Sequence, residues 1–397
     1  MDTKLCVPRS AALQLAAFAA ALLLLVRTLL RRRQRNSAER LALTRRVLQA
    51  VPSDRFGVAH RLVALGAPPD GVDFSLTVTP PIMNFLGSLH GGAIATVVDE
   101  ATTLALIAAG HFPGVSTAID VQYTKGCAEG DVIRVEARVL RAGRTVAFTE
   151  CRLYSTTYPN ELLARGTHTK MIAAPSWWPL VRALPLSVVA RLLPRPASSR
   201  GGSSRDPKED AAPSAPALPD VFPKGVAAAV IDNRLGLKPT TDYATGLPLT
   251  EAGKVTYFAK HVGGAQRPLQ GFDASVDGVL TADAANQAQS QTQKWELTVG
   301  KQVTNPMGAL HGGCIATLVD IFGTAAIALS APECGVASSL SVQYVSSAAM
   351  KSTVAWTAEI VKRGKRLVVV ECTARDRKGR LVARGCVTKT LRGAAKL

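Results

Sequence analysis

Two strings of residues in this 397-residue chain are suited to carbonyl chemistry. His90-Gly91-Gly92 is followed by Asp99, and His311-Gly312-Gly313 is followed by Asp320 at the same spacing. Paired glycines let a backbone approach a ligand closely. Where they open a helix, their N–H groups point outward with the positive end of its dipole and can receive the oxyanion of a tetrahedral intermediate. The acid then lies two and a half turns along the helix, among apolar residues. A lone carboxylate is costly there unless it is paired or holds its proton. Asp99 and Asp320 are therefore candidates to take a proton from water or to attack directly, and the sequence leaves both roles open. An aspartate kept for packing is the plainer reading, but its recurrence in a helix that otherwise drifts argues for chemistry. His90 and His311 read either as a catalytic base or as shapers of the loop. No P-loop, G-x-S-x-G or H-E-x-x-H string occurs, so no cofactor or metal is expected.

The elements that must hold these residues come twice. Residues 84–123 align with 305–344 without a gap at an offset of 221, with 18 of 40 positions identical. The register reaches Glu150-Cys151 against Glu371-Cys372, and after a two-residue gap Ala164-Arg165-Gly166 matches Ala383-Arg384-Gly385. Residues 74–79 and 295–299 alternate apolar and polar, as half-buried strands do. Residues 91–109 are apolar nearly all round, which predicts a helix buried on most of its surface. Residues 132–140 and 145–153 predict an antiparallel pair about Arg141-Ala142-Gly143-Arg144, and Lys362-Arg363-Gly364-Lys365 repeats that turn. The class is α+β.

The motif N-x-x-G-x-L-H-G-G-x4-L/V-V-D, present in both copies, resembles that of the hotdog-fold acyl-CoA thioesterases of the human-type and phenylacetate-pathway group. The resemblance covers roughly residues 70–172 and 290–391. It implies an antiparallel sheet wrapped around a central helix, twice, with the two copies forming an intramolecular pseudo-dimer. It implies hydrolysis of acyl-CoA to free CoA and a carboxylic acid at composite sites. Asn84, His90 and Gly91 would then face Asp320, while Asn305, His311 and Gly312 face Asp99. The asparagine and glycine would polarise the carbonyl, and the histidine would support the oxyanion loop. The resemblance also places a serine or threonine near the attacking water. Thr117 and Ser338 occupy matching positions and are the picks. Ser116 is the weaker candidate, since strand alternation turns it to the other face and its counterpart is Ala337. Were Ser116 the partner, the two sites would differ. Arg144, Lys170, Lys365 and Lys389 follow turns or end strands where an exposed CoA tail could lie. A hotdog enoyl-thioester hydratase or dehydratase and a non-catalytic acyl-CoA-binding membrane-tethered protein are the competing readings.

The net charge is +18, with eleven Lys/Arg against three acids in residues 1–60. No basic stretch is interleaved with aromatics, which argues against a nucleic-acid partner. Seven cysteines without C-x-x-C spacing argue against a disulfide framework or zinc site and for a reducing compartment. Residues 11–30 form an apolar run of membrane-spanning length. An arginine cluster follows in place of a cleavage site, so a signal anchor facing the cytosol is expected. The rival, a mitochondrial presequence, is opposed by Asp2 and by the strength of the apolar run. Ala395-Lys396-Leu397 resembles a peroxisomal import tripeptide and conflicts with that address. The expected division is an N-terminal membrane anchor over 1–36, hotdog domains over 37–172 and 221–392, a Pro/Ser-rich linker over 173–220, and a tail over 393–397. The second domain carries an N-terminal extension. Further homo-oligomerisation is left open.

Overall fold

The computed structural model describes residues 36–176 and 291–391, apart from 52–54, 85–86, 159–160 and 331–334, together with 178, 184, 272, 276 and 280–282. The apolar run 11–30, most of the linker and the final tripeptide lie outside the described residues.

Helix α1 (Ser37–Ala50) starts where Asn36 Oδ1 accepts the N–H groups of Ala38 and Glu39. It is held to the first copy by Arg40 and Arg45, which donate to the carbonyls of Ala67 and Ala64. The sequence pattern does not announce this helix, because its arginines obscure a short apolar face. The apolar segments after the two His-Gly-Gly strings form α2 (Gly91–Ala108) and α3 (Gly312–Ser330). Both are long and apolar enough to cross a membrane, but they are core helices, buried along most of their length.

The first copy contributes strands β1 (Val63–Gly66), β2 (Gly71–Thr77), β3 (Val115–Tyr123), β4 (Val132–Ala142), β5 (Val146–Ser155) and β6 (Leu162–Met171). The second contributes β7 (Leu280–Ala282), β8 (Thr292–Thr298), β9 (Gly335–Tyr344), β10 (Thr353–Arg363), β11 (Leu367–Asp376) and β12 (Leu381–Leu391). They form a single antiparallel sheet in the order β1-β2-β4-β5-β6-β3-β9-β12-β11-β10-β8-β7. Each half wraps around its own helix, which is the hotdog arrangement, twice. Within the 221–290 extension, β7 pairs with β8, and Phe272 and Val276 enter the core.

The halves meet about a pseudo-two-fold axis. β3 pairs with β9 so that Asp120 faces Ser341, its own counterpart. Behind them α2 meets α3 at Thr96 and Thr317, another equivalent pair, with hydroxyls 3.3 Å apart. The approach needs glycine: a Cβ on Gly92 would stand 2.8 Å from Thr317 Cα, and one on Gly313 would stand 3.1 Å from Thr96 Cα. One apolar core runs through both copies.

Two matching β-bulges bear on the chemistry. The β3–β6 register shifts between Ser116 and Ala118, and the β9–β12 register shifts opposite Thr388 and Lys389, where Ser338 is passed over. An extra residue in a strand inverts the alternation on one side of it.

Candidate active site

His90 and His311 each cap the helix they precede. Nδ1 accepts the Gly92 N–H at 2.8 Å and the Gly313 N–H at 3.0 Å, respectively. The ring proton of each is therefore on Nε2. Asn84 and Asn305 fold the preceding turns: Asn84 Oδ1 accepts the Ser88 N–H, and Asn305 Oδ1 accepts those of Met307 and Ala309. These residues shape the loop in which the first helical amides, of Gly91 and Gly312, have no partner within their own helix.

Each aspartate faces the helix start of the other copy. Asp99 Oδ2 accepts the Gly313 N–H at 2.8 Å and lies 3.5 Å from His311 Nδ1. Asp320 Oδ2 accepts the Gly92 N–H at 3.1 Å and lies 3.5 Å from His90 Nδ1. A Cβ added to Gly312 would stand 3.0 Å from Asp99 Oδ2 and 3.1 Å from Ser116 Oγ, so the acid and the hydroxyl both close on the start of the opposite helix.

The bulges decide which hydroxyl faces the acid. Ser116 Oγ donates to Asp99 Oδ1 at 3.3 Å. Thr117 Oγ1 instead donates to the Thr169 carbonyl, and Ser338 Oγ to the Thr388 carbonyl. The structure thus puts Ser116, and not the picks Thr117 and Ser338, beside the acid, because the extra residue reverses the alternation read back from Ile119. His168, which the sequence reading passed over, lies behind Ser116 with Nε2 3.0 Å from its Oγ and Nδ1 2.7 Å from Thr102 Oγ1. The same Nε2 lies 3.6 Å from Asp99 Oδ1, so the imidazole, the serine hydroxyl and the carboxylate stand together. The signal available was an inward strand position two residues before Lys170, occupied by Val387 in the other copy.

Two of the four cations expected along a CoA tail are elsewhere. Lys170 and Lys389 are buried, at 4% and 3% exposure, because their strand positions point inward to the aspartates. Lys170 Nζ lies 3.8 Å from Asp99 Oδ1 and donates to Thr103, while Lys389 Nζ is in direct contact with Asp320 Oδ1. Arg144 and Lys365 remain exposed in the β4–β5 and β10–β11 turns.

Burial alone would push the Asp99 carboxyl up. Lys170, then His168 and His311, and the Gly313 amide outweigh it and hold Asp99 down at about 2. His168 is pushed down to about 3, first by burial and then by Lys170, so its ring is neutral at ordinary pH. Asp320 is also held below the usual range: burial opposes this, and Lys389 and His90 outweigh it. Next to Asp99, Glu100 goes the other way. Its burial lifts it to about 8, although Oε2 accepts the Val58 N–H at 2.8 Å. Its Oε1 lies 3.6 Å from His311 Nε2. Among the described residues no group of three or more His, Cys, Asp or Glu is placed to hold a metal ion.

Anionic acid, hydroxyl and helix-start amides brought together among buried residues is an arrangement for adding water to an activated carbonyl. The family model of the thioesterase superfamily matches residues 86–157 and 307–383, one segment in each copy. Acyl-coenzyme A thioesterase 13 of Mus musculus is 34% identical over 114 residues, which are 28% of this chain and 81% of that protein. The crystal structure of thioesterase superfamily member 2 from Mus musculus is 30% identical and covers 36% of this chain and 97% of its own, with a TM-score of 0.29. A hot dog fold protein of unknown function from Alicyclobacillus acidocaldarius is 13% identical and covers 81% and 94%, with a TM-score of 0.43. The chain belongs to the thioesterase superfamily and is a thioesterase with two hotdog domains in tandem.

Proposed function

We propose that the chain hydrolyses acyl-CoA thioesters to CoA and a carboxylic acid at a composite centre. Copy 1 supplies Asp99 and Ser116 to that centre, and copy 2 supplies His311, Gly312 and Gly313. The observation that carries this reading is the close approach of Asp99 Oδ2 and Ser116 Oγ to the helix start at Gly312, at 3.0 and 3.1 Å from where its Cβ would stand. A thioester carbonyl placed there accepts the Gly312 N–H at the positive end of α3. A water between Ser116 and Asp99 is turned so that a lone pair meets the carbonyl carbon. As the C–O bond forms, Asp99 takes the water's proton and the carbonyl oxygen becomes the oxyanion. The C–S bond then breaks, the carbonyl reforms, and the leaving thiolate takes the proton. Asp99 is a weak base by its low proton affinity. Its contribution is a fixed negative charge and an acceptor that is already desolvated. Acyl-CoA as substrate is supported by the names of the relatives.

The test is release of free CoA by the full chain from short, medium, long-chain and aryl acyl-CoA. Asp99→Asn should lower kcat by about 10²–10⁴-fold, the usual worth of a positioned base. Binding of acyl-CoA without CoA release from any of the four would overturn the hydrolase reading and favour a binding protein.

A further inference from the structure

Around Asp99 the neighbours are polar and joined: Thr102 touches His168, His168 touches Ser116, and Ser116 donates to Asp99 Oδ1. The aligned positions around Asp320 hold Gly323, Val387 and Ala337. The three replacements fit one another. A Cβ on Gly323 would stand 2.2 Å from Val387 Cγ1, so the valine fills the space over the glycine and the pocket that imidazole and hydroxyl occupy in copy 1 is closed by apolar packing. A fourth difference lies beside the acid itself, where Ile321 replaces Glu100.

The oxygens of the two aspartates are also used differently. Oδ2 of each accepts an amide from the opposite helix. Oδ1 of Asp99 takes the Ser116 hydroxyl, with Lys170 standing off at 3.8 Å. Oδ1 of Asp320 is in direct contact with the Lys389 ammonium. Hydrolysis needs a hydroxyl to turn the water and a carboxylate oxygen able to accept its proton. The Asp320 centre lacks the hydroxyl, since that position is alanine, and the carboxylate oxygen that faces the hydroxyl in copy 1 is instead paired with the Lys389 ammonium.

We propose that hydrolysis is confined to the Asp99 centre, and that Asp320 is a structural clamp. It pins the start of α2 through Gly92 and neutralises a buried lysine. The proposal rests on the hydrolytic reading above and divides its labour: copy 1 provides the acid and hydroxyl, copy 2 provides the amide loop, and the reverse pairing does no chemistry.

The experiment compares CoA release and thermal melting of the full chain as unmodified protein, Asp99→Asn, Asp320→Asn and the Asp320→Asn/Lys389→Met double variant. Asp320→Asn should keep the unmodified kcat with a lower Tm. The double variant, which removes both buried charges together, should recover Tm at unchanged kcat and carries the readout if the single variant does not fold. Folded Asp99→Asn should lose activity by about 10²-fold or more. Two equal centres would instead leave half the kcat in each single variant, and that outcome overturns the proposal while the hydrolase reading stands. Absence of CoA release by the unmodified chain overturns the hydrolase reading itself.

Discussion

The two centres are built on one frame. Each has a histidine capping a helix, a Gly-Gly start, an aspartate reaching across to the opposite helix, and a buried lysine behind it. What differs is the layer between lysine and loop, with Thr102, Ser116 and His168 on one side and Gly323, Ala337 and Val387 on the other. The recurrence of Asp99 as Asp320 reads in the sequence as a sign of two active centres. The structure gives that recurrence another cause. Whichever chemistry it does, each aspartate caps an amide across the pseudo-two-fold axis, and losing one would leave a lysine buried without its partner, a loss of about 3–5 kcal/mol for such pairs. A residue with a structural job in both copies says nothing about where catalysis happens; the residues without such a job do.

After Asp99→Asn, the largest contrast between the centres should come from the glycines that face the aspartates. Gly312→Ala places a methyl group 3.0 Å from Asp99 Oδ2 and 3.1 Å from Ser116 Oγ, where the thioester carbonyl and water belong. CoA release should fall by about 10²–10³-fold, as on loss of an oxyanion donor. Gly91→Ala meets Asp320 Oδ2 at 2.7 Å and should lower the melting temperature with little change in kcat. Equal losses from both substitutions would break the comparison.

A smaller effect separates the neighbouring hydroxyls. Ser116→Ala should lower kcat by roughly 10²-fold, with KM little changed, because the water loses its orienting partner. Thr117→Val and Ser338→Ala each remove only a hydrogen bond to a strand carbonyl, so neither should alter turnover beyond a modest loss of stability, about 1 kcal/mol. Full activity in Ser116→Ala with loss in Thr117→Val would return the water site to the position that simple alternation predicts.

That contrast shows how far the sequence was legible. The repeat, the buried helix opened by His-Gly-Gly, the antiparallel pairs and the meeting of Asp99 with Gly312 across the copies follow from periodicity, motif and resemblance. The identity of the hydroxyl did not, because a bulge of one residue leaves no mark in a run such as Ser116-Thr117-Ala118. The burial of Lys170 and Lys389 is hidden in the sequence for a related reason. A lysine near a strand end is normally a surface charge, and only the sheet register shows that these two point inward. His168 was hidden by its neighbours, since one inward histidine among threonines has no period of its own. Helix α1 was missed because its arginines serve as carbonyl donors, which a hydrophobicity pattern cannot register.

The smallest effect would sharpen the comparison through pH. Glu100 belongs to the Asp99 centre alone, with Ile321 at the matching position. Its carboxyl, lifted by burial to about 8 from an ordinary 4.5, is mostly protonated at neutral pH. Between those two values the folded chain holds a proton that the unfolded chain has released. Stability should therefore fall as pH rises through that window and level off above about 8. Above it, the ionised carboxylate adds a second negative charge beside Asp99 and His311, where an oxyanion must form. Turnover should then decline several-fold through pH 8 while Asp99 stays ionised throughout. Glu100→Gln keeps the size of the side chain and removes the titration. Its pH–rate profile should lose the alkaline fall, and its melting temperature should exceed that of the unmodified chain at pH 9 by more than at pH 6. Ile321→Gln, in the centre read as silent, should lower the melting temperature by the same amount at pH 6 and pH 9, because it buries an amide that does not titrate, and should leave the shape of the pH–rate profile unchanged. An alkaline fall that persists unchanged in Glu100→Gln would assign it to another group and remove Glu100 from the differences that matter between the two centres.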